Sequence, residues 1–509
     1  QPVYTAFADP QEIKNSTQLI TSMKEIAPEN LMEGYEKQLS SKTLRYVVVA
    51  KKLSFTQAEM LKKKNIAGVG VTQEDKRVYP EGDLAGQILG YVNSDGKGQY
   101  GIEEGMNDAL KGKNGRLQAV TDVRRIPLTV SKDDISEPAQ NGKNVVLSVD
   151  RTIQSFVEAS LKQGLKNVGA TKGSVVVMNP NNGQVYAMAN YPSYNPNEYN
   201  KVTDYSVFQN AVISEPYEVG SVMKTMSMGA GLDSGAVTVN STFNDASGCV
   251  QIDDRKICNV EEDPRTANAT MLDTLHYSLN TGVVHILKQM GGGRVTYEAR
   301  QKLYSYYHDR YRFGVPTGIE LAGEAQGVVI SPDEAEGNNV RYANMAFGQG
   351  MDITMLQMAA GFSSAINGGI YYKPTVVAGT LTDQKKMSPT KPKVLQKGVL
   401  SPEASTTLRD MIVKGRQLGV LGGKDPAGYN VGGKTGTSQI IDKRTGEYTN
   451  ENSIGSYVGF GGNATPQYVI MVQVKDSKAR GYAGTTAAGP IFQDISNKMI
   501  EYLRIAPIS

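Results

Sequence analysis

The chain has 509 residues, with 54 Lys and Arg against 51 Asp and Glu, three histidines, two cysteines and no tryptophan. At about 100–200 residues per domain this length predicts two or three domains, and 39% hydrophobic with 21% charged residues excludes a disordered tail or a small disulfide scaffold. A net charge of +3 gives no general electrostatic case for nucleic acid, and three histidines with no CxxC argue against a zinc enzyme.

In chain order, the first stretch of about 140 residues is lysine-rich and mixed. RYVVVA from Arg45 reads as a strand, and SFTQAEMLKKK as a short surface helix, with Lys51, Lys52, Lys62, Lys63 and Lys64 forming a solvated basic face. SKDDISEPAQNGKN, with Pro138 and Gly142, marks a boundary near residue 140. Beyond it a helical run extends from Thr152 to about Lys166, and GSVVVMNPNNGQVYAMANY reads as a hairpin turned at Asn182-Gly183. Cys249 and Cys258 bracket VQIDDRKI, a second hairpin candidate in which a disulfide and two buried thiols are equally open.

The segment from Ile353 to Tyr372 is uncharged, but Thr354, Gln357, Ser363, Ser364 and Asn367 make it a core helix followed by a turn at Gly368-Gly369. SYVGFGGNATPQYVIMVQV supplies two more strands, and PIFQDISNKMIEYLR a closing helix. Strands from both ends of this region imply an antiparallel sheet assembled from distant segments and covered by helices, an α+β domain. The chain opens at Gln1-Pro2 with no signal peptide, and no run of about 18 apolar residues follows. A cleaved or truncated amino terminus is the expectation.

Three short patterns carry chemistry. Ser221 and Lys224 stand in EVGSVMKTMSMGAGL, where helical spacing puts hydroxyl and ammonium on one face. A helix start favours negative charge on the serine, and burial favours a neutral lysine able to act as a base. Alone, the pair is more simply a helix-capping serine, and Ser94-Lys97 and Ser388-Lys391 match the same spacing in turn-like settings. Ser278 and Asn280 in LHYSLNTGVVHI place a proton relay and an amide two residues apart; Ser193 and Asn195 do so in a proline-rich stretch. Lys434-Thr435-Gly436-Thr437 in YNVGGKTGTSQII reads as a strand with Lys434 and Gly436 on one face and Thr435 and Thr437 on the other. By itself it could equally be an exposed turn.

The three patterns occur in this order at 221, 278 and 434, the motif set of penicillin-binding proteins and class A β-lactamases. The chain resembles the class B, monofunctional penicillin-binding proteins, peptidoglycan D,D-transpeptidases. RVYPEGDLAGQILGYV and GQYGIEEGMNDALKGKNG resemble that family's amino-terminal pedestal, and FGVPTGIELAGEAQG and FGQGMDITMLQMAAGFSSAINGG its transpeptidase domain. The resemblance implies a mixed α/β pedestal, a dimerisation-type module, over residues 1–140 and a penicillin-binding domain over 141–509 with an antiparallel sheet flanked by helices. It implies that Ser221 attacks a stem peptide ending in D-Ala-D-Ala and that Lys224 takes its proton. Ser278 and Lys434 then serve the leaving amine, while Asn280 holds the donor amide. The N–H groups of Ser221 and Thr437 would form the oxyanion hole, and Thr435, Gly436 and Thr437 the substrate-binding strand.

β-Lactams are implied as covalent inhibitors, with a membrane glycan polymerase and other wall-synthesis proteins as partners. No metal, cofactor or nucleic acid is implied. The family's cytoplasmic tail, membrane helix and Arg-Gly-rich start are missing, so the expectation is a soluble portion of a protein anchored at the outer face of the cytoplasmic membrane. A D,D-carboxypeptidase and a non-catalytic β-lactam sensor would carry the same site. A β-lactamase is disfavoured by the long amino-terminal region, and a bifunctional polymerase by the absence there of an acidic catalytic motif. With lysines in place of imidazole, no histidine is expected to matter for acylation.

Overall fold

A computed structural model describes residues 1–41, 43–118, 135–382, 384–441 and 448–508. These form two compact units, one of Gln1–Gly82 with Val92–Gly96, the other of Asp83–Tyr91 with the chain from Lys97 onward.

In the first unit β1 (Pro2–Ala8) is the central strand of a three-stranded antiparallel sheet, between β2 (Val47–Leu53) and β3 (Val69–Asp75). Helices α1 (Ser16–Ile26) and α2 (Phe55–Lys63) bury Leu19, Met23 and Leu61 against Ala6, Val49 and Leu53. Helix α2 is the expected surface helix. Ser54 caps it reciprocally with Gln57, and Lys62 and Lys63 complement its carboxyl-terminal dipole.

The second unit is built around a five-stranded sheet. Helix α3 (Arg151–Asn167), capped by Asp150, leads into the hairpin β4 (Lys172–Met178) and β5 (Val185–Tyr191), which turns at Gly183 with φ +80°. Central helices follow: α4 (Lys224–Asp233), then α5 (Met271–His276) and α6 (Asn280–Met290) beyond the small hairpin β6 (Cys249–Ile252) and β7 (Arg255–Cys258), and then α7 (Met355–Ile366) and α8 (Pro402–Gln417). The chain returns to the sheet with β8 (Asn430–Ile441), β9 (Tyr448–Gly462) and β10 (Pro466–Lys475) and closes with α9 (Gly489–Tyr502). The strand order is β5-β4-β10-β9-β8, antiparallel throughout, so β8 is an edge.

Strand alternation sorts the two faces. Val175, Val177, Ile470 and Val472 pack with Ile153, Val157, Phe492 and Ile495 of α3 and α9, while Val176, Met178, Val469 and Met471 pack with the central helices. The uncharged stretch from 353 is the wholly buried α7, a core element as expected.

One register row crosses all five strands and carries polar side chains on four of them, with Gly436 at the edge. Gly436 pairs with Ser456, Ser456 with Gln473, Gln473 with Ser174 and Ser174 with Asn190. Ser174 Oγ donates to Asn190 at 2.8 Å, and Ser456 Oγ meets Tyr217 Oη at 3.0 Å, so the row links the sheet to the segment just before Ser221. Buried polar groups of this kind hold register because each lost partner leaves a desolvated atom.

Ile470, fully buried on the central strand, tests the sheet–helix contact. Ile470→Ala is expected to lower the unfolding free energy by about 2–5 kcal/mol in denaturant titration; a loss within error of zero would refute a close-packed layer there.

Candidate active site

Ser221 lies in a 3₁₀ turn, Gly220–Met223, that runs directly into α4 at Lys224. The sequence pointed to a plain helix start; the tighter turn eclipses residues three apart and so keeps Ser221 and Lys224 on one side. Gly220 has φ +64°, and a β-carbon there would stand 2.7 Å from Ser438 Oγ and 2.9 Å from the Thr437 carbonyl oxygen. Only glycine meets both demands. The turn rests on edge strand β8, where a β-carbon at Gly436 would come within 2.8 Å of the Val219 carbonyl oxygen and Ser438 Oγ donates to the Glu218 carbonyl at 2.5 Å.

Lys224 is 1% exposed, and its Nζ donates to Ser278 Oγ at 3.0 Å and to the Ser278 carbonyl oxygen. Ser278 occupies the tight link between α5 and α6 with φ +62°, a conformation that serine adopts only where its surroundings impose it. Asn280 opens α6, and its Nδ2 donates to the Cys258 carbonyl at 2.9 Å. Cys249 and Cys258 face one another across the β6–β7 ladder, Cα atoms 4.0 Å apart, and form a disulfide, which resolves the two readings left open above. Asn259, the next residue, bonds Asp245 and Thr281, so the hairpin base is fastened to the first turn of α6.

Along β8 the expected alternation holds: Lys434, Gly436 and Ser438 are buried, and Thr435 and Thr437 are half-buried. Lys434 Nζ lies 3.2 Å from the Thr435 carbonyl oxygen and 3.4 Å from Thr435 Oγ1, and Thr437 Oγ1 accepts the Gly484 N–H at 3.3 Å. The fold thus brings the Ser221 turn against Gly436–Ser438 and Lys224 against Ser278. It does not hydrogen-bond Lys434 to Ser278, and among the described residues no hydrogen bond reaches Ser221 Oγ.

Two buried ammonium groups share this cleft. Burial holds Lys224 well below the ordinary lysine range, the Lys434 charge pushes it the same way, and Asp263 opposes them. Burial lowers Lys434 to about 8, again against Asp263. The Asp263 carboxyl is raised by burial, while the N–H of Val260, 3.2 Å from Oδ2, and the two lysines draw it down. A lysine that titrates near 8 is positioned to exchange protons near neutral pH.

Asp263 and Glu218 were not singled out from sequence. Asp263 sits in an acidic run after Cys258 with no motif around it, whereas Glu218, whose carboxylate accepts the Gly350 N–H at 2.7 Å, could have been suspected from its place three residues before Ser221. Nδ1 of His276, which lines a cavity shared with Lys434, is 3.3 Å from the Gly415 carbonyl oxygen, His285 stacks on Phe243, and His308 bonds Asp309. The look-alikes separate too, Ser94 in a turn and Ser388 on a short exposed strand.

The lowered Lys434 pKa has a stability consequence with a definite sign. Between about 8 and the unfolded value near 10.5 the unfolded chain binds the extra proton, so stability rises with pH across that window and is depressed below it. The deficit near pH 7 is on the order of 3 kcal/mol. Lys434→Met is expected to be more stable than the native chain at pH 7, with the gap closing from pH 8 to 10.5 in urea midpoints; a pH-independent gap would contradict the buried-charge account.

Comparison with known proteins agrees with this geometry. Residues 173–497 match the penicillin-binding protein transpeptidase domain family, and residues 1–147 the penicillin-binding protein dimerisation domain family. Stage V sporulation protein D of Bacillus subtilis is 29% identical over 99% of this chain and 76% of its own length, and the probable peptidoglycan D,D-transpeptidase PbpC of Pseudomonas aeruginosa 30% identical over 91% and 77%. Among solved structures, penicillin-binding protein 3 of Mycobacterium tuberculosis in complex with aztreonam superposes with TM-score 0.73 at 25% identity, covering 86% of this chain and 92% of that one. The motif order, the buried lysine pair beside the serine turn and these matches lead to one conclusion: the chain belongs to the penicillin-binding protein transpeptidase family.

Proposed function

We propose that this protein is a serine D,D-transpeptidase that cross-links peptidoglycan stem peptides through an acyl-enzyme on Ser221 and is inhibited covalently by β-lactams. The observation that carries the reading is the convergence of Ser221, Lys224, Ser278 and Lys434 from three distant segments around one cleft with two buried lysines. The probable D,D-transpeptidase name of the Pseudomonas relative and the aztreonam complex of the Mycobacterium structure support it.

In this mechanism Lys224, whose burial favours the neutral amine, takes the Ser221 proton as Oγ attacks the carbonyl carbon of the penultimate D-alanine. The N–H groups of Ser221 and Thr437 receive the oxyanion, each donor contributing on the order of 2.7–4 kcal/mol. Ser278 and Lys434 deliver a proton to the departing D-alanine amine, and Asn280 orients the donor amide. Thr435 and Thr437 hydroxyls hold the terminal carboxylate, at a strand where Gly436 lets the serine turn come close.

We further propose that residues 1–140 act as a pedestal and 141–509 as the catalytic domain, supported by the two family matches. The enzyme then works outside the cytoplasm on the wall, tethered at the outer face of the cytoplasmic membrane by a helix and accompanied by a glycan polymerase.

Labelled penicillin is expected to acylate the protein stoichiometrically, with the adduct on Ser221 in peptide mass mapping and none on Ser221→Ala; an adduct on any other residue would refute the assignment. Lys224→Ala is expected to slow acylation by about 10²–10⁴-fold. The native acylation rate should climb with pH through the depressed Lys224 pKa and level off above it, and near-normal acylation by the alanine variant would put the base elsewhere.

A further inference from the structure

The chain that leaves the disulfide hairpin runs as a strap between two sides of the site. At its start the Cys258 carbonyl accepts from Asn280 Nδ2 at 2.9 Å, and Asn259 Oδ1 accepts the Thr281 N–H at 3.0 Å, which fixes it to the first turn of α6. Further on, the Glu262 carboxylate accepts from Tyr482 Oη at 3.4 Å. Tyr482 belongs to the loop after β10, two residues before Gly484, whose N–H donates to Thr437 Oγ1 at 3.3 Å. The strap therefore joins the Asn280 side of the site to the strand that carries Lys434 and Thr437.

Asp263 ends this strap, half-buried, with the Val260 N–H 3.2 Å from its Oδ2. The charged and titratable groups that face it are Lys224 from α4, Lys434 from β8, Glu262 on the strap itself and Tyr482 from the loop after β10. Arg265, beyond the strap, sits against Gly248 and acts on Asp245. Away from the strap, Lys434 shares a cavity wall with His276, Arg416 and Tyr457, and Arg416 is committed to Asp425, Tyr457 and Gln493. Asp263 is thus the anion that acts on both buried lysines.

The chemistry needs those lysines in different states. On the proposed function Lys224 must be an amine to take the Ser221 proton, and Lys434 an ammonium to supply one to the departing nitrogen. Burial disfavours charge on both, and the Lys434 charge adds to this only at Lys224, so one shared carboxylate supports a proton on Lys434 more readily than on Lys224. We propose that Asp263 is a positioning residue for the proton transfers: held beside the site by the strap, its carboxylate keeps Lys434 an ammonium at neutral pH while Lys224 serves as the amine. The inference rests on the acyl-enzyme reading above. In acylation the Oγ–C bond forms and the C–N bond breaks. One proton passes from Ser221 Oγ to Lys224 and one from Lys434, through Ser278, to the departing nitrogen, so the total charge of the lysine pair is unchanged.

The test uses the whole chain with ¹³Cε-labelled lysine, the Lys434 signal being identified by its loss in Lys434→Met. Two quantities are followed against pH: the Lys434 titration midpoint, and D-alanine release from an Nα-acylated D-Ala-D-Ala peptide. Thermal unfolding establishes that each variant is folded. The native midpoint is expected at about 8. Asp263→Asn is expected to move it to lower pH by about 0.5–1 unit, less than the roughly 1–3 units of a directly paired carboxylate, and to displace the pH profile of D-alanine release in the same direction. Asp263→Glu is expected to restore both, and Glu262→Gln, at an exposed position, to move both less.

An unmoved Lys434 midpoint in folded Asp263→Asn overturns the proposal, as does a midpoint that moves while the pH profile stays. Failure of Asp263→Glu to restore both would make the role merely structural, and an equal shift in Glu262→Gln would make it a general effect of acidic charge; either result overturns the assignment to Asp263. If the native chain neither releases D-alanine nor is acylated at Ser221, it is the enzymatic reading that fails, and the Lys434 midpoint still decides whether Asp263 holds that proton.

Discussion

The site depends on a backbone-to-backbone approach. The 3₁₀ turn that carries Ser221 lies on the edge strand that carries Lys434, and the separation is too small for any β-carbon at Gly220 or Gly436. A second strand-hugging contact repeats the device, since a β-carbon at Gly484 would fall 2.3 Å from the Gly436 carbonyl oxygen. Through this approach the serine, the lysines and the strand's peptide groups share one small volume. The bond from Ser438 to the Glu218 carbonyl and the polar row from Ser456 to Asn190 hold strand and turn in register.

That compression has an electrostatic cost. Lys224 and Lys434 are both stripped of water, and the Lys434 charge further disfavours that of Lys224, with half-buried Asp263 opposing at both. Burial that weakens the fold at neutral pH is what lets a lysine serve as a base, the ordinary exchange of stability for activity at a catalytic site. Ser278, held at positive φ where Lys224 reaches both its hydroxyl and its carbonyl, shows the same tension in the backbone.

The anchoring of Asn280 extends the site outward. Its amide meets the Cys258 carbonyl, Cys258 is bonded to Cys249, and Asn259 is tied to Thr281. A hairpin remote from the sheet therefore sets the start of α6. The wall next to Lys434 is apolar by contrast, with Leu275 from α5, Ile412 from the buried face of α8 and Leu421 from the loop after it.

Much was legible in the residues themselves. Periodicity found helix Arg151–Asn167, the hairpin at Asn182-Gly183 and the buried helix from Met355, because these signals are local and repeat at 3.6 or 2 residues. Ser221 with Lys224 and Lys434 with Gly436 could be paired by spacing for the same reason. Tertiary packing alone decided what spacing does not encode: that the serine turn lies on the edge strand, that Lys224 is directed to Ser278, that Cys249 and Cys258 are bonded, and that the Asp263 charge acts on both lysines. Each of these joins groups from different segments, and their distances are set by how helices and strands close on one another, a property that no single window of sequence contains.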